Sequence, residues 1–378
     1  MSRQGHNIAF VIDSMAGGGA QRVVANLANH WSAQGHRVSV ITLAGATEDA
    51  YTLLPSAQRI ALNMYGNSTN SLVALQQNLR RARALRRQLR QLKPDVAIGA
   101  QPTGNVLLAL ASRGMAVTAI GSEHTHCPLQ PMNLYWRALR YFTYGWLDGV
   151  TAPTEETALW LQRHTKARRT VTIPNPIVYP LPAQPPIVAP EQVLPTDCPC
   201  IIAVGRLEPV KGFDWLIDAF SRIAAMHPNW NLVVVGEGNA RPDLEKQVAE
   251  LGLRLRVHLP GWVGNVGDWY QRASVVAMTS RVEGFGNTLA EGMAYGLPAV
   301  AFDCEVGPRA IVRDGVDGIL VRLGEVEQFA RALSELMQNE VLRDSFAHRA
   351  VEARHRFGIQ TVAKRWEQLL EQACTHCR

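Results

Sequence analysis

The sequence predicts an α/β protein built from two doubly wound domains, and three observations carry that prediction. Short β-branched runs alternate with amphipathic helical patterns, which implies a parallel sheet covered on both faces. The alternation breaks at a Pro-rich, weakly patterned stretch, residues 179–197, and then restarts. The chain of 378 residues, 47% apolar and 19% charged, is long enough for two separate cores.

Taken in order, NIAFVID reads as a first strand because its apolar run is short and bounded by turn residues, with three glycines (17–19) following. AQRVVANLANHWSAQG has helical periodicity, RVSVITL is a second strand, and a long helix runs to Lys93. DVAIGA, GNVLLALASR, AVTAIGS and DGVTAPT continue strand, helix, strand, strand. The first domain is therefore set at 1–178, the linker at 179–197 and the second domain at 198–358. There CIIAVGR, a helix from Gly212 to about Met226, NLVVVGEG, a helix from Pro242 to Gly252, RVHLPGWV, SVVAMTS and AVAF repeat the scheme. The last segment, 359–378, is a helix with Val362, Trp366, Leu369 and Leu370 on one stripe. In such sheets ligands bind at the C-terminal strand edges.

Bulk properties narrow the function classes. No apolar run approaches the roughly 18 residues that span a bilayer, and the apolar start is too short for a signal peptide, so a cytoplasmic protein is expected. Six cysteines (Cys127, Cys198, Cys200, Cys304, Cys374, Cys377) form no disulfide-like framework, and the terminal CTHC lacks further clustered metal ligands. Charge is uneven. Residues 1–178 hold 18 Lys and Arg against 8 Asp and Glu, whereas 179–378 hold 20 against 24, which points to an anionic partner for the first half.

The stretch RVEGFGNTLAEGMAYGLP (281–298) concentrates the chemistry. Glu283, Gly284, Phe285, Gly286 and Asn287 form a Gly-punctuated loop that feeds a helix through Thr288, Leu289 and Glu291. The open N–H groups at that helix mouth suit a phosphate, and the two carboxylates suit hydroxyls at the ends of a phosphate-bearing ligand. A solvated helix end is the bland alternative.

The spacing of Glu283 and Glu291, the small-residue helix and the GLP before AVAF together resemble the retaining nucleotide-sugar glycosyltransferases of the GT-B fold, family 4 or group 1 type, many of which build bacterial lipopolysaccharide and capsule. That resemblance implies two Rossmann-like domains facing across a cleft, with the last helix crossing back onto the first domain. VGRLEPVKG resembles the family's diphosphate grip, implying that Gly205, Arg206 and Lys211 meet the leaving nucleotide diphosphate. VVVGEG, with Gly236, resembles the loop beside the nucleotide, and LPGWV makes Trp262 and Val263 candidates for the base, although Trp262 reads equally well as a core residue. In the first domain, Gly18 and Gly19 resemble a loop over the donor phosphates in which Gln21 replaces the usual Glu. His124 matches a histidine placed near the reacting sugar, with His126 the runner-up and a structural histidine the alternative.

By resemblance, Glu283 would hold the donor sugar, Glu291 the ribose, and His124 the sugar or its phosphate. No Asp-x-Asp occurs anywhere in the chain, so no metal and no other cofactor is expected. Expected partners are a nucleotide-sugar donor, UDP-linked by preference, a lipid-linked or polysaccharide acceptor, and an anionic membrane surface. The membrane expectation rests on two segments. Arg80, Arg81, Arg83, Arg86, Arg87, Arg90 and Lys93 crowd a helix whose Leu72, Leu75, Leu79, Ala82, Leu89 and Leu92 form an apolar stripe. Tyr135, Leu139, Phe142 and Trp146 share a face beside Trp136, Arg137 and Arg140. No nucleic-acid reader motif accompanies the charge. A soluble-acceptor transferase and a non-catalytic nucleotide-sugar binding protein stay open.

Overall fold

The computed structural model describes residues 5–47, 49–66, 71–129, 132–194 and 198–376, with side chains left undescribed at 71–75, 129 and 374–376. It divides into two compact units: Met1–Pro176 together with Ile359–Arg378, and Ile177–Gly358.

Among the described residues of the first unit, seven parallel strands stand in the order β3-β2-β1-β4-β5-β6-β7. They are β1 (Asn7–Ile12), β2 (Arg37–Thr42), β3 (Ala57–Ala61), β4 (Val96–Ala100), β5 (Thr118–Ser122), β6 (Gly149–Ala152) and β7 (Thr170–Thr172). The connecting helices are α1 (Gly19–Ala33), α2 (Ser71–Leu92), α3 (Gln101–Ser112), α4 (Leu134–Thr143) and α5 (Glu155–His164). Central strands β1, β4, β5 and β6 are buried throughout, as continuous apolar runs require when helices cover both faces. The edge strands β3 and β7 escaped the sequence patterns because they are only partly buried and carry no apolar run.

The C-terminal helix, Ile359–His376, belongs to this unit, with Val362, Trp366, Leu369 and Leu370 all buried and Trp366 edge-on to Trp31 of α1 at 6.4 Å. The terminal CTHC falls at the end of it, where the Cys374 side chain and Cys377 lie outside the described residues.

The second unit forms a six-stranded parallel sheet, order β10-β9-β8-β11-β12-β13, among its described residues. Its strands are β8 (Cys200–Val204), β9 (Asn231–Val235), β10 (Val257–Gly261), β11 (Val275–Met278), β12 (Ala299–Asp303) and β13 (Gly318–Arg322). Its helices are α6 (Phe213–Ile223), α7 (Arg241–Glu250), α8 (Val266–Arg272), α9 (Asn287–Ala294), α10 (Pro308–Ile311), α11 (Val326–Gln338), α12 (Glu340–Ala350) and α13 (Ala353–Arg356). Buried Val, Ile, Leu and Phe side chains fill both faces, with Phe220, Phe302 and Phe329 among the largest.

The Pro-rich stretch expected to act as a linker is, as far as Leu194, a strap on the second unit. Ile177 and Leu194 are buried in its core, Leu181 N–H donates to the Tyr295 hydroxyl (2.8 Å), and Val188 exchanges hydrogen bonds with Asn265. Prolines keep such a segment out of the sheet, while side-chain partners satisfy the backbone groups that remain. Residues 195–197 lie outside the described residues.

Candidate active site

In the second unit the strand ends around β8, β9 and β11 are fitted to one another through glycines. Gly236 has φ 144°, and a Cβ there would lie 1.9 Å from Gly205 O, so the β8 and β9 loops touch only because position 236 lacks a side chain. The contact is locked by Gly205 N–H to Val235 O (3.0 Å) and Leu207 N–H to Glu237 O (2.8 Å). Gly212, at φ 64°, packs against Thr279 O, 2.1 Å from where its Cβ would stand.

These close approaches bring Lys211 to Glu283. Lys211 Nζ lies 2.6 Å from Glu283 Oε1, which also accepts from Ser280 Oγ at 2.7 Å. Glu283 is 9% exposed, so the carboxylate is mostly withdrawn from water with its charge answered by the lysine. Read from the sequence, these two residues have separate tasks. The structure couples them, since a ligand phosphate approaching Lys211 meets an ammonium already oriented by a carboxylate.

Arg281 fixes this geometry and was not singled out from the sequence. Its guanidinium donates to Pro209 O and forks onto both oxygens of Asp214 (3.0 and 2.6 Å), stacked 3.9 Å from the centre of the Trp215 ring. Its own N–H donates to Val210 O (2.8 Å), and Thr279 Oγ1 donates to Lys211 O (3.3 Å). The loop bearing Lys211 and the loop bearing Glu283 are thus tied by one bidentate, stacked arginine, a task to which lysine is unsuited.

Arg206 stands apart, with its side chain 65% exposed and paired only to Glu208 Oε1 at 2.8 Å. An exposed pair of this kind contributes about 0–1 kcal/mol, so Arg206 can exchange Glu208 for a phosphate at little loss. Glu208 was not flagged by the sequence, where a Glu two residues after an Arg carries no signal.

Gly286, at φ 105°, is the N-cap of α9 and supplies the turn into the helix. Leu289 N–H is already spent on Gly286 O (3.0 Å), which narrows the expected phosphate donors to Asn287 and Thr288. The side chains of Val263, Phe285 and Leu289 are buried in the core, Phe285 edge-on to Phe357 at 5.4 Å, so only their backbones remain available to a ligand. Apolar residues flanking a functional loop anchor it. Trp262, by contrast, is 47% exposed and is not a core residue, while Gly284 is buried. Glu291, one turn into α9, is 3% exposed.

In the first unit, Gly18 is the N-cap of α1, and the Tyr51 hydroxyl donates to Gly18 O (3.0 Å) while accepting from Gly18 N–H (3.2 Å). Gln21 turns back over this cap, its Oε1 lying 2.4 Å from where a Gly18 Cβ would be. Gly19 opens the helix. His124 follows β5, with Nδ1 enclosed and without a hydrogen bond among the described residues. Burial pushes its imidazole down to about 4, against a hydrogen bond to Asn175 that raises it, so the ring is neutral at pH 7. His126 is the structural histidine of the pair, buried with Nδ1 2.9 Å from Thr157 Oγ1.

Beneath His124 lies a polar cluster not read from the sequence. Buried Glu123 accepts from the Tyr144 hydroxyl, Asn105 Nδ2 donates to Tyr144 Oη (3.0 Å), and Asn105 Oδ1 accepts from Ser122 N–H (2.9 Å). Burial pushes the Glu123 carboxyl up to about 7, with Tyr144 and Arg140 drawing it down.

Two parallel-sheet units, one carrying a glycine-fitted Lys/Glu/Arg edge beside the N-terminus of a helix, make an arrangement able to hold a phosphate-bearing ligand. Residues 198–339 match the family described as glycosyl transferases group 1, and residues 17–178 match glycosyltransferase family 4. The chain belongs to these group 1, family 4 glycosyltransferases. It is 25% identical over 362 residues to an uncharacterized glycosyltransferase of Haemophilus influenzae, covering 96% of this chain and 98% of that one. An α-1,4-N-acetyl-D-galactosaminyltransferase of Campylobacter jejuni, named for an undecaprenol-diphosphate-linked acceptor, is 26% identical over 365 residues, with 96% and 98% covered. Among solved structures, Anabaena HepE in complex with UDP superposes with a TM-score of 0.76 at 19% identity, covering 97% and 100%. That likeness establishes the GT-B fold.

Proposed function

We propose that this glycosyltransferase moves a sugar, with retention at the anomeric carbon and without a metal, from a UDP-linked donor to a hydroxyl of a lipid-linked or polysaccharide acceptor at the inner face of the cytoplasmic membrane. The observation that carries the donor half is the Lys211–Glu283 pair at 2.6 Å beside the mouth of α9. As the glycosidic bond breaks, charge grows on the departing diphosphate. Lys211, Arg206 and the N–H groups of Asn287 and Thr288 are the groups that answer it. Glu283 orients the donor sugar and Lys211 together, Glu291 takes the ribose, and neutral His124 offers a hydrogen bond to the sugar or its phosphate without adding charge. The resemblance implies retention by same-face attack assisted by the leaving phosphate. The UDP preference follows HepE, solved with UDP, and the lipid-linked acceptor follows the Campylobacter enzyme's name.

Transfer assays with UDP- and GDP-sugars in excess EDTA test this directly, with the anomeric configuration of the product read by NMR. Turnover of a UDP-sugar should persist under EDTA and give the retained anomer. Loss of turnover restored by Mg²⁺ or Mn²⁺ would overturn the cationic grip, and an inverted product would overturn retention.

Membrane attachment is supported by a patch that differs from the one expected. Among the described residues no helix is long and apolar enough to cross a membrane. On α4, Arg140 is buried against Trp160 (4.9 Å) and Leu139 is packed inward, so neither faces a lipid. Leu134, Tyr141, Phe142 and Trp146 are the exposed apolar side chains, with Lys166 4.8 Å over Phe142 and Arg113 4.3 Å over Trp146. On α2, Arg81 is consumed by Met64 O, Gly66 O and Asn78, and Arg86 by Ala111 O and Arg113 O. Arg80, Arg83, Arg87, Arg90 and Lys93 stay exposed. The stripe is Ala82, Leu85 and Leu89, all buried, with Leu92 half-buried and Leu79 turned outward. The Leu72 and Leu75 side chains lie outside the described residues.

Flotation with anionic liposomes should recover the wild type at low salt and lose it at high salt. The Phe142→Ser and Trp146→Ser double variant should float less, as should Arg80, Arg83, Arg87 and Arg90 changed to Gln, each basic residue near the surface being worth about 1 kcal/mol. Wild-type recovery that ignores lipid charge and both variants would favour the soluble-acceptor alternative.

A further inference from the structure

A pocket of about 310 Å³ in the first unit lies apart from the residues given a role in the proposed function. Asp13 at the end of β1, Gln101 and Thr103 in the first turn of α3, and Met132, Asn133 and Trp136 at the entry to α4 line it. Its size suits a ligand of one or two rings.

The lining specifies the chemistry of an occupant. Asp13 Oδ1 is enclosed and makes no hydrogen bond among the described residues, while Thr103 holds the carboxylate by its side chain. A buried acceptor left unsatisfied costs about 1–3 kcal/mol, which a ligand hydroxyl would recover. Burial raises the Asp13 carboxyl to about 6, with Thr103 and Arg81 pulling it down, so it is predominantly an acceptor at neutral pH. Gln101 holds φ 65°, a left-handed conformation that a non-glycine residue keeps only where its surroundings demand it, and it does so at the pocket wall. Trp136 adds an aromatic surface of the kind that packs on the C–H face of a pyranose, and its backbone N–H is already bound by Asn133 Oδ1 at 3.0 Å.

A phosphate does not fit this lining. No Lys, Arg or His lines the pocket among the described residues. The cation that acts on Asp13, Arg81, has Nε, Nη1 and Nη2 each donated to Met64, Asn78 and Gly66. The positive end of α3 is answered by Asp13 itself, so an added phosphate would meet a carboxylate at close range.

We infer that this pocket seats the terminal sugar of the acceptor as an uncharged ring, one hydroxyl donating to Asp13 and one apolar face on Trp136, and that it rejects an acceptor phosphorylated on that ring. The inference rests on the glycosyl-transfer function proposed above and narrows its acceptor class to chains ending in a neutral sugar.

Saturation-transfer NMR on the full chain tests it with methyl glycosides of glucose, galactose and N-acetylglucosamine and with the 6-phosphates of the same sugars. At least one neutral glycoside should bind, at least tenfold more weakly to Trp136→Ala and Asp13→Ala, while the phosphates give no signal with the wild type. Asp13→Asn should lower neutral binding less and admit the phosphates. Melting shifts with UDP-glucose on the same preparations show that each variant is folded. Binding indifferent to both positions, phosphates that bind the wild type as well as glycosides, or a wild type that takes UDP-glucose and no neutral glycoside would each overturn the inference. Glycoside binding that needs Trp136 in a protein indifferent to nucleotide sugars would uphold the pocket and remove the transferase function instead.

Discussion

Lys211→Ala should lower kcat by roughly 10²-fold or more, because the ammonium answers charge that appears chiefly as the diphosphate departs. The loss should exceed that of Arg206→Ala. Lys211 is held 2.6 Å from Glu283 in a mostly buried pair, whereas Arg206 is exposed and paired with Glu208. The same substitution leaves the Glu283 carboxylate with the Ser280 hydroxyl alone, so Lys211→Ala should also melt at a lower temperature than the wild type. Steady-state kinetics beside UDP affinity separate the two effects. A variant that binds UDP more weakly but turns over at the wild-type kcat would take Lys211 out of transition-state stabilisation.

Gly236→Ala is expected to have the largest effect on stability. The new Cβ would stand 1.9 Å from Gly205 O, a backbone atom that cannot swing aside, and φ 144° is strained for any residue with a side chain. Overpacking typically costs about 1–3 kcal/mol, and an unfavourable backbone conformation adds about 1–3 more. Chemical denaturation should show a loss of about 2–6 kcal/mol, together with weakened UDP binding as the β8 loop with Arg206 is pushed away from β9. Gly252→Ala is the control. It too has a positive φ, 68°, but nothing lies within 4 Å of its Cβ, so it should lose only the backbone part. Equal losses in the two variants would mean that the contact between the β8 and β9 loops does not matter.

The fold was legible where physics is local. Buried parallel strands announce themselves as apolar runs, and their repetition with helices specified both sheets; β3 and β7, half-covered at an edge, left no such trace. The tight strand ends of the second unit were legible in part because glycines mark where backbones must nearly touch, as at 236 and 212. What the sequence concealed was partnership over distance. Asp13 at the end of an apolar run says nothing until α3 and α4 bring Thr103 and Trp136 to it, about 90 and 120 positions later. Arg281 drew no reading from the sequence because Asp214 and Trp215, which hold it, are far away in the chain. The proline-rich segment was misjudged for the opposite reason. Composition reported how its backbone is restricted, but not that Ile177 and Leu194 would be buried by it.

The C-terminal helix makes the second unit an insertion within the first, since the first unit ends at Pro176 and resumes only at Ile359. On the ribosome, the apolar groove that receives Trp366, Leu369 and Leu370 therefore stays uncovered while the 182 residues of Ile177–Gly358 are made, roughly 10–40 s at 5–20 residues per second. The second unit is the first whose residues are all available, and it can fold while its neighbour waits for its final helix. A chain released at residue 358 would carry a finished second unit joined to an open hydrophobic face, and that face is what chaperones and proteases would meet.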